Sequence, residues 1–336
     1  MVAGTYPRLF EPLALRSRTA PNRIVMPPMV TNMGVTSEPA RAYYAERARG
    51  GVGTVIVEAV QVRLFAAEIG PALMRPLARC IQDAGSLAVV QLFVQDRVSP
   101  DADRLGPSAL DGAREATVEE LRALQRQLAR AAVVCEEAGF DGVEIHGAHG
   151  FFLNRFFAPE WNQRTDGYGG SLENRMRMGL ECVRAVMEAK GPELLVFYRH
   201  TPAWGGYGID ESIAFAAQLV AAGVDVLDIS PSLGPNGEHA HYAGLTRQHT
   251  TVPVIAVNGM NDPARADAAL AEGRCDLVAI GRGLLADPMW PTKVRQGREA
   301  EIVRCTECNE KCFGNLGRGE PISCVENPRV GLEWRD

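Results

Sequence analysis

Residues 117–146, TVEELRALQRQLARAAVVCEEAGFDGVEIH, decide the fold. Thr117 and Glu120 have the spacing of a capping box, in which each satisfies a free backbone N–H at a helix start. Leu121, Leu124 and Leu128 then fall on one face of a helix. Ala138-Gly139 stops that helix, because glycine takes up the left-handed conformation of a C-terminal cap without strain. The run at 142–146 follows at once, short and mostly apolar, as expected of a strand buried on both faces. One helix feeding one buried strand is the unit of a parallel α/β fold.

The same unit recurs along the chain. Strand-like runs fall at 23–26, 53–57, 87–92, 142–146, 194–198, 224–229, 253–257 and 276–280, and helix-like stretches separate them. Asp262-Pro263 supplies a further cap followed by proline at the first helical position. Eight such units predict a (β/α)8 TIM barrel. A doubly wound open sheet would want a glycine-rich fingerprint after its first strand. Met26-Pro27-Pro28-Met29 stands there instead. The barrel is expected over residues 1–290, its regular pattern ending near Leu285. A four-cysteine C-terminal extension follows over 291–336.

Composition narrows the function. The 336 residues are 46% hydrophobic and 23% charged, enough for a packed core. A net charge of −6 without a basic run argues against nucleic acid. No apolar stretch approaches the ~20 residues of a membrane span, and MVAGTYPRLFEPLAL does not read as a signal peptide. A cytoplasmic protein acting on a small molecule is the expectation. Cys80, Cys135, Cys182 and Cys275 are scattered and read as core. Cys305, Cys308, Cys312 and Cys324 are clustered and read as metal ligands, with zinc and iron–sulfur both open to four thiolates.

Barrel active sites lie at the C-terminal ends of the strands. Those ends carry Glu58, Gln91, His146 with His149, Arg199, Ser230, Asn258-Gly259 and Gly281-Arg282. A glycine-lined turn opening a helix offers backbone N–H groups to an anion, so Gly259 and Gly281-Arg282-Gly283 predict a phosphate site.

The segment His146-Gly-Ala-His149-Gly-Phe-Phe-Leu-Asn-Arg-Phe, continuing through Asn162, Arg164, Asp166, Tyr168, Gly170, Glu173, Asn174 and Arg175, resembles the signature of the old yellow enzyme family. Leu9-Phe-Glu-Pro, Asn22 to Met29 and Tyr43 to Gly53 match too. The spacing Cys305-x2-Cys308-x3-Cys312-x11-Cys324, followed by Asn327-Pro328, is similar to the iron–sulfur branch that includes 2,4-dienoyl-CoA reductase, 2-enoate reductase and trimethylamine dehydrogenase. The resemblance implies an FMN-dependent oxidoreductase with a [4Fe–4S] cluster on those cysteines. It implies flavin contacts from Pro27, Pro28, Met29, Val30 and Ala59, with Gln91 at the pyrimidine edge and Arg199 beside N1 and O2. Asn258, Gly259, Gly281 and Arg282 would hold the phosphate. His146 and His149 would bind the oxygen of a substrate carbonyl or carboxylate, so that hydride adds to an activated C=C bond.

Several positions depart from that pattern. Phe151 replaces the tyrosine that protonates the substrate, leaving His239, His241 and Tyr242 as replacement acids. Val94 and Asp96 replace a histidine and a glycine in the loop after strand three. Val30 offers no hydrogen bond to the flavin. No dinucleotide fingerprint is present. Electrons from NAD(P)H would then arrive indirectly, through a separate electron-donor flavoprotein or through FAD and NAD(P) domains of a longer protein. The resemblance also implies self-association into a homo-oligomer. Three functions follow: reduction of a C=C bond, redox isomerisation or dehydrogenation without net reduction, and service as an electron-transfer subunit. A barrel holding some other phosphate ligand is a further alternative.

Overall fold

The computed structural model describes residues 5–97, 102–231 and 240–335. Eight parallel strands close into a barrel: β1 (Ile24–Met26), β2 (Thr54–Gln61), β3 (Leu87–Phe93), β4 (Gly142–Gly147), β5 (Leu195–His200), β6 (Val226–Ile229), β7 (Val254–Ala256) and β8 (Leu277–Ala279). β8 pairs with β1 to complete the ring. The helices that follow the strands in turn are α1 (Glu38–Arg49), α2 (Pro71–Gln82), α3 (Val118–Ala138), α4 (Leu172–Ala189), α5 (Ile209–Ala221), α6 (His241–Arg247), α7 (Pro263–Ala271) and α8 (Arg282–Ala286). The capping box of Thr117 and Glu120 opens α3, and Gly139 closes it with φ +94°. Asp262 accepts from the backbone N–H of Arg265 at the start of α7.

All eight expected strands form. β2 runs longer than its apolar core because it continues past a register irregularity between Val57 and Val60. β5 extends to His200, which puts Arg199 inside the strand rather than after it. Three aspartates stitch the strand starts together. Asp141, before β4, accepts from Ala88 N–H of β3. Asp225 and Asp276, before β6 and β8, accept from Val196 of β5 and Val254 of β7. Each satisfies a buried backbone donor that the ring leaves unpaired.

The hairpin Leu13–Leu15 with Arg18–Ala20 has no counterpart among the eight expected strands. It stoppers the N-terminal mouth of the barrel. Leu15 and Ala20 join Val25, Ile56, Val89, Phe197, Val226, Ile255 and Leu277 in the interior core. Arg16 pairs with Asp225 at 2.8 Å, and Arg18 with Asp141 at 3.1 Å. The opposite mouth, where the site lies, stays polar.

Beyond α8, a helix at Trp290–Arg295 packs on the barrel, with Trp290 buried. The cysteine segment then folds back over the first βα loop. Ile322 N–H donates to Thr31 O at 2.8 Å, and Asn32 donates to Glu320 O at 3.0 Å. At its end Glu333 receives 2.6 Å contact from Arg47, a wholly buried guanidinium lying 3.8 Å over the Tyr43 ring. Among the described residues no helix is long and apolar enough to cross a membrane.

Candidate active site

β-Sheet register builds the site. Gln91 faces Glu144, His146 faces Arg199, and Arg199 faces Asp228 across neighbouring strands. Gln91 donates its amide to Glu144 Oε1 at 2.7 Å. Arg199 Nη2 donates to Ser230 Oγ at 3.0 Å, and its Nε lies 3.5 Å from Asp228. All six of these polar groups are buried. Burial, and then the charge of Asp228, pushes Glu144 well above the usual carboxylate range. Asp228 is raised by burial too, although Arg199 pulls it back. Glu144 and Asp228 are not among the polar groups expected at the strand ends; a carboxylate interrupting an apolar strand is the signal that marks them.

His146 is the penultimate residue of β4 and His149 begins the following turn. Their rings meet at 5.3 Å. Burial pushes His146 down to about 3 and His149 down to about 2, and the Arg199 charge adds to both shifts. Both imidazoles are therefore neutral. Ala148 N–H donates to His146 Nδ1 at 3.3 Å, which leaves Nε2 to carry that ring's proton. His149 Nε2 lies 2.8 Å from Ser230 Oγ.

Two pairs of consecutive left-handed residues flank the site: His149 (φ +61°) with Gly150, and Asn258 (φ +78°) with Gly259. Such backbone costs energy at a non-glycine residue and persists where the surroundings enforce it. His149 is held by Thr201 Oγ1, which accepts its N–H at 2.9 Å. Gly147 cannot be replaced, since a Cβ there would lie 2.2 Å from the Tyr198 hydroxyl.

Most of the long motif around the histidines is scaffolding. Asn154 ties Gly150 N–H to the Tyr207 hydroxyl. Asn162 holds Phe156 O and Tyr168 O. Arg164 reaches Pro107 O and Ala116 O, and Arg175 reaches Phe157 O and Glu211. Glu58 is likewise absorbed, accepting from both Thr31 N–H and its hydroxyl at 2.7 Å and so anchoring the loop that carries Pro27 to Val30. Pro27 is buried, while Pro28, Met29, Val30 and Ala59 are half-buried.

Phe152 and Tyr207 are core. Trp161 and Trp204 stack on each other under Arg155. Phe151 alone projects, 46% exposed, with its ring edge-on to His146 at 5.2 Å and to Phe93 at 5.1 Å. His241 and Tyr242 start α6 and pack ring to ring at 5.5 Å. His239 lies outside the described residues.

The polar groups at the β3–β6 ends suit a flavin. A buried cation beside an amide is what negative charge on a reduced pyrimidine ring requires. Arg199 Nε is also a buried donor without a hydrogen-bond acceptor among the described residues. Gly281 and Arg282 open α8 near Pro27 and Met29. The Arg282 side chain, however, turns to the cysteine segment. Its Nη1 donates to Asn309 Oδ1 at 3.0 Å, and Nη2 is 3.6 Å from Glu307.

Cys305, Cys308, Cys312 and Cys324 line one shallow recess, together with Arg282 and Lys311. Glu307 N–H donates to Cys305 Sγ at 3.4 Å. No three His, Cys, Asp or Glu side chains among the described residues gather tightly enough to share a single ion.

A family model described as the NADH:flavin oxidoreductase / NADH oxidase family matches residues 8–301. The chain belongs to this family. Its barrel is that of the FMN oxidoreductases of old yellow enzyme type. It is 34% identical over 370 residues to an NADH oxidase of Thermoanaerobacter brockii, covering 98% of this chain and 57% of that protein. It is 28% identical to a cinnamate reductase of Clostridium sporogenes, covering 98% and 58%. A solved 2-naphthoyl-CoA reductase superposes with a TM-score of 0.90 at 26% identity, covering 98% of this chain and 58% of the other. The chain thus spans a little over half the length of these relatives.

Proposed function

We propose that this oxidoreductase reduces an electron-poor C=C bond conjugated to a carbonyl or carboxylate. The observation that carries the reading is the pair of neutral histidines, His146 and His149, facing each other beside the buried Arg199. Bound FMN supplies a hydride acceptor and donor. The protein supplies the rest. Two imidazole N–H groups bind the substrate oxygen and stabilise the charge that grows there. Gln91 and Arg199 hold the pyrimidine edge of the cofactor. Asn258, Gly259 and Gly281 offer backbone to its phosphate. Phe151 packs against a planar conjugated substrate. Cinnamate and 2-naphthoyl-CoA, the compounds in the relatives' names, share an acyl group conjugated to an aromatic ring, which fits this surface.

The four cysteines are assigned a [4Fe–4S] cluster, on the recess they line and the N–H donated to Cys305. Electrons from NAD(P)H then come through further flavin-binding domains or a separate protein. Phe151 favours a second reading, redox isomerisation or dehydrogenation, because a phenyl ring donates no proton. His239, His241 and Tyr242 are the acids that net reduction would call upon.

The test is anaerobic purification followed by absorption spectroscopy with iron and sulfide assays, then incubation of the dithionite-reduced protein with cinnamate and with an aliphatic enoate that carries γ-hydrogens. Flavin bands with roughly four irons per chain and a saturated product support the first reading. An isomer formed without consumption of reductant supports the second. A protein that cannot take up FMN overturns both.

A further inference from the structure

The geometry points to Ser230 as a positioning residue that sets the tautomer of His149, making the two active-site histidines a matched pair of hydrogen-bond donors. Ser230 is buried directly after β6. Its Oγ has two partners among the described residues, Arg199 Nη2 at 3.0 Å and His149 Nε2 at 2.8 Å. Arg199 can only donate. It therefore occupies a lone pair of Ser230 Oγ and orients the hydroxyl proton away from itself. The remaining partner is His149 Nε2; were it also to donate, the buried Ser230 hydroxyl proton would have no acceptor among the described residues, so Nε2 accepts. A neutral imidazole that accepts at Nε2 carries its proton on Nδ1.

The backbone holds this arrangement rigidly. Ser230 N–H donates to His200 O at 2.9 Å, and Thr201 Oγ1 donates to Ser230 O at 3.2 Å. The same Thr201 hydroxyl accepts from His149 N–H. Thr201 thus clamps the serine and the histidine to one another by their main chains. His146 is fixed independently and oppositely: Ala148 N–H occupies its Nδ1, so its proton sits on Nε2. Each ring has one nitrogen engaged by the protein and one left over, and both left-over nitrogens are N–H donors. The pair then has no lone pair to offer. It favours a carbonyl or carboxylate oxygen and disfavours a hydroxyl that must donate. Arg199 consequently acts at two places, toward the cofactor through its guanidinium and toward the substrate through Ser230. The substrate consequence rests on the proposed function; the tautomer assignment does not.

The test uses the oxidised, FMN-loaded protein labelled with 15N-histidine, with two-bond 1H–15N spectra recorded at pH 7 and His149→Asn for assignment. The wild type is expected to show His149 protonated at Nδ1 and His146 at Nε2. Ser230→Ala is expected to shift His149 toward the Nε2–H form and leave His146 unchanged, while Ser230→Thr, which keeps the hydroxyl, preserves the wild-type pattern. Affinity for benzoate, read from the flavin absorbance, should fall about tenfold in Ser230→Ala and stay near wild type in Ser230→Thr, the cost of one misdirected hydrogen bond to a charged group. Ser230→Cys takes the place of the alanine variant if that variant does not fold. A wild-type His149 protonated at Nε2, or a tautomer indifferent to loss of the hydroxyl, overturns the proposal. Correct tautomers in a protein that reduces no conjugated alkene would overturn the proposed function and leave this inference standing.

Discussion

Arg282 donates to Asn309, so the arginine at the start of α8 leans on the loop between Cys305 and Cys312 rather than on the glycine turn that precedes it. Its guanidinium also lines the cysteine recess. Replacing Arg282 with Gln should therefore cost more iron than flavin. Iron and FMN per chain, measured together after anaerobic purification, check this. A variant that keeps its iron and loses FMN would put the side chain back on the phosphate.

Gly147→Ala should be among the most damaging substitutions in the barrel. The added methyl would enter the Tyr198 ring, whose Cζ stands 2.3 Å from the built position. Overpacking without room to yield should destabilise by ~3 kcal/mol or more. Thermal unfolding or soluble yield reports it, and Tyr198→Ala in the same chain should restore part of the loss.

His200 is buried among Phe157, Tyr207 and Phe215, with Nε2 on Ser212 Oγ, and burial pushes it down to about 3. The sign follows from proton uptake. Below the unfolded value of ~6.5 the unfolded chain binds a proton that the folded site refuses, so stability drains as pH falls. His200→Gln should flatten the loss of unfolding free energy between pH 6 and pH 4.5 by about 1.4 kcal/mol per pH unit. Urea titrations of both proteins across that range measure the difference. His146 and His149 share the same sign.

Phe151→Tyr restores a phenol edge-on to His146. On the proposed function it should raise the yield of saturated product severalfold and lower any isomer. Product analysis from a conjugated enoate decides this. An unchanged ratio would mean that another acid already serves.

Much of the barrel was legible because its strands are buried on both faces. The run that became β3 has one polar residue, Gln91, and the run that became β5 is followed by Arg199; both belong to the candidate site. The hairpin at Leu13–Leu15 was not legible, since three-residue strands carry too little alternation to register. The site was half legible. His146 and His149 stood out by residue type, and so did Gln91 and Arg199. Ser230 was visible at a strand end but its task was not, because that task depends on how β4, β5 and β6 align. Aromatic residue type alone does not mark the site. Phe152 and Tyr207 share a composition with binding pockets, yet burial assigns them to the core. Asn154, Asn162, Arg164 and Arg175 carry the strongest part of the motif and brace loops by holding carbonyls.

The buried pair of Arg47 and Glu333 has a consequence in time. It joins residues 286 positions apart, and the bond from Asn32 to Glu320 joins residues 288 apart. Contacts so distant in sequence form late, after their loop-closure entropy has been met. During synthesis the first βα loop, held by Glu58, therefore waits for its C-terminal brace until the segment carrying Glu320 and Glu333 has emerged. The loop holding Pro27 to Val30 should be the last part of the barrel to become resistant to protease, and a nascent chain halted just after Leu285 should expose it.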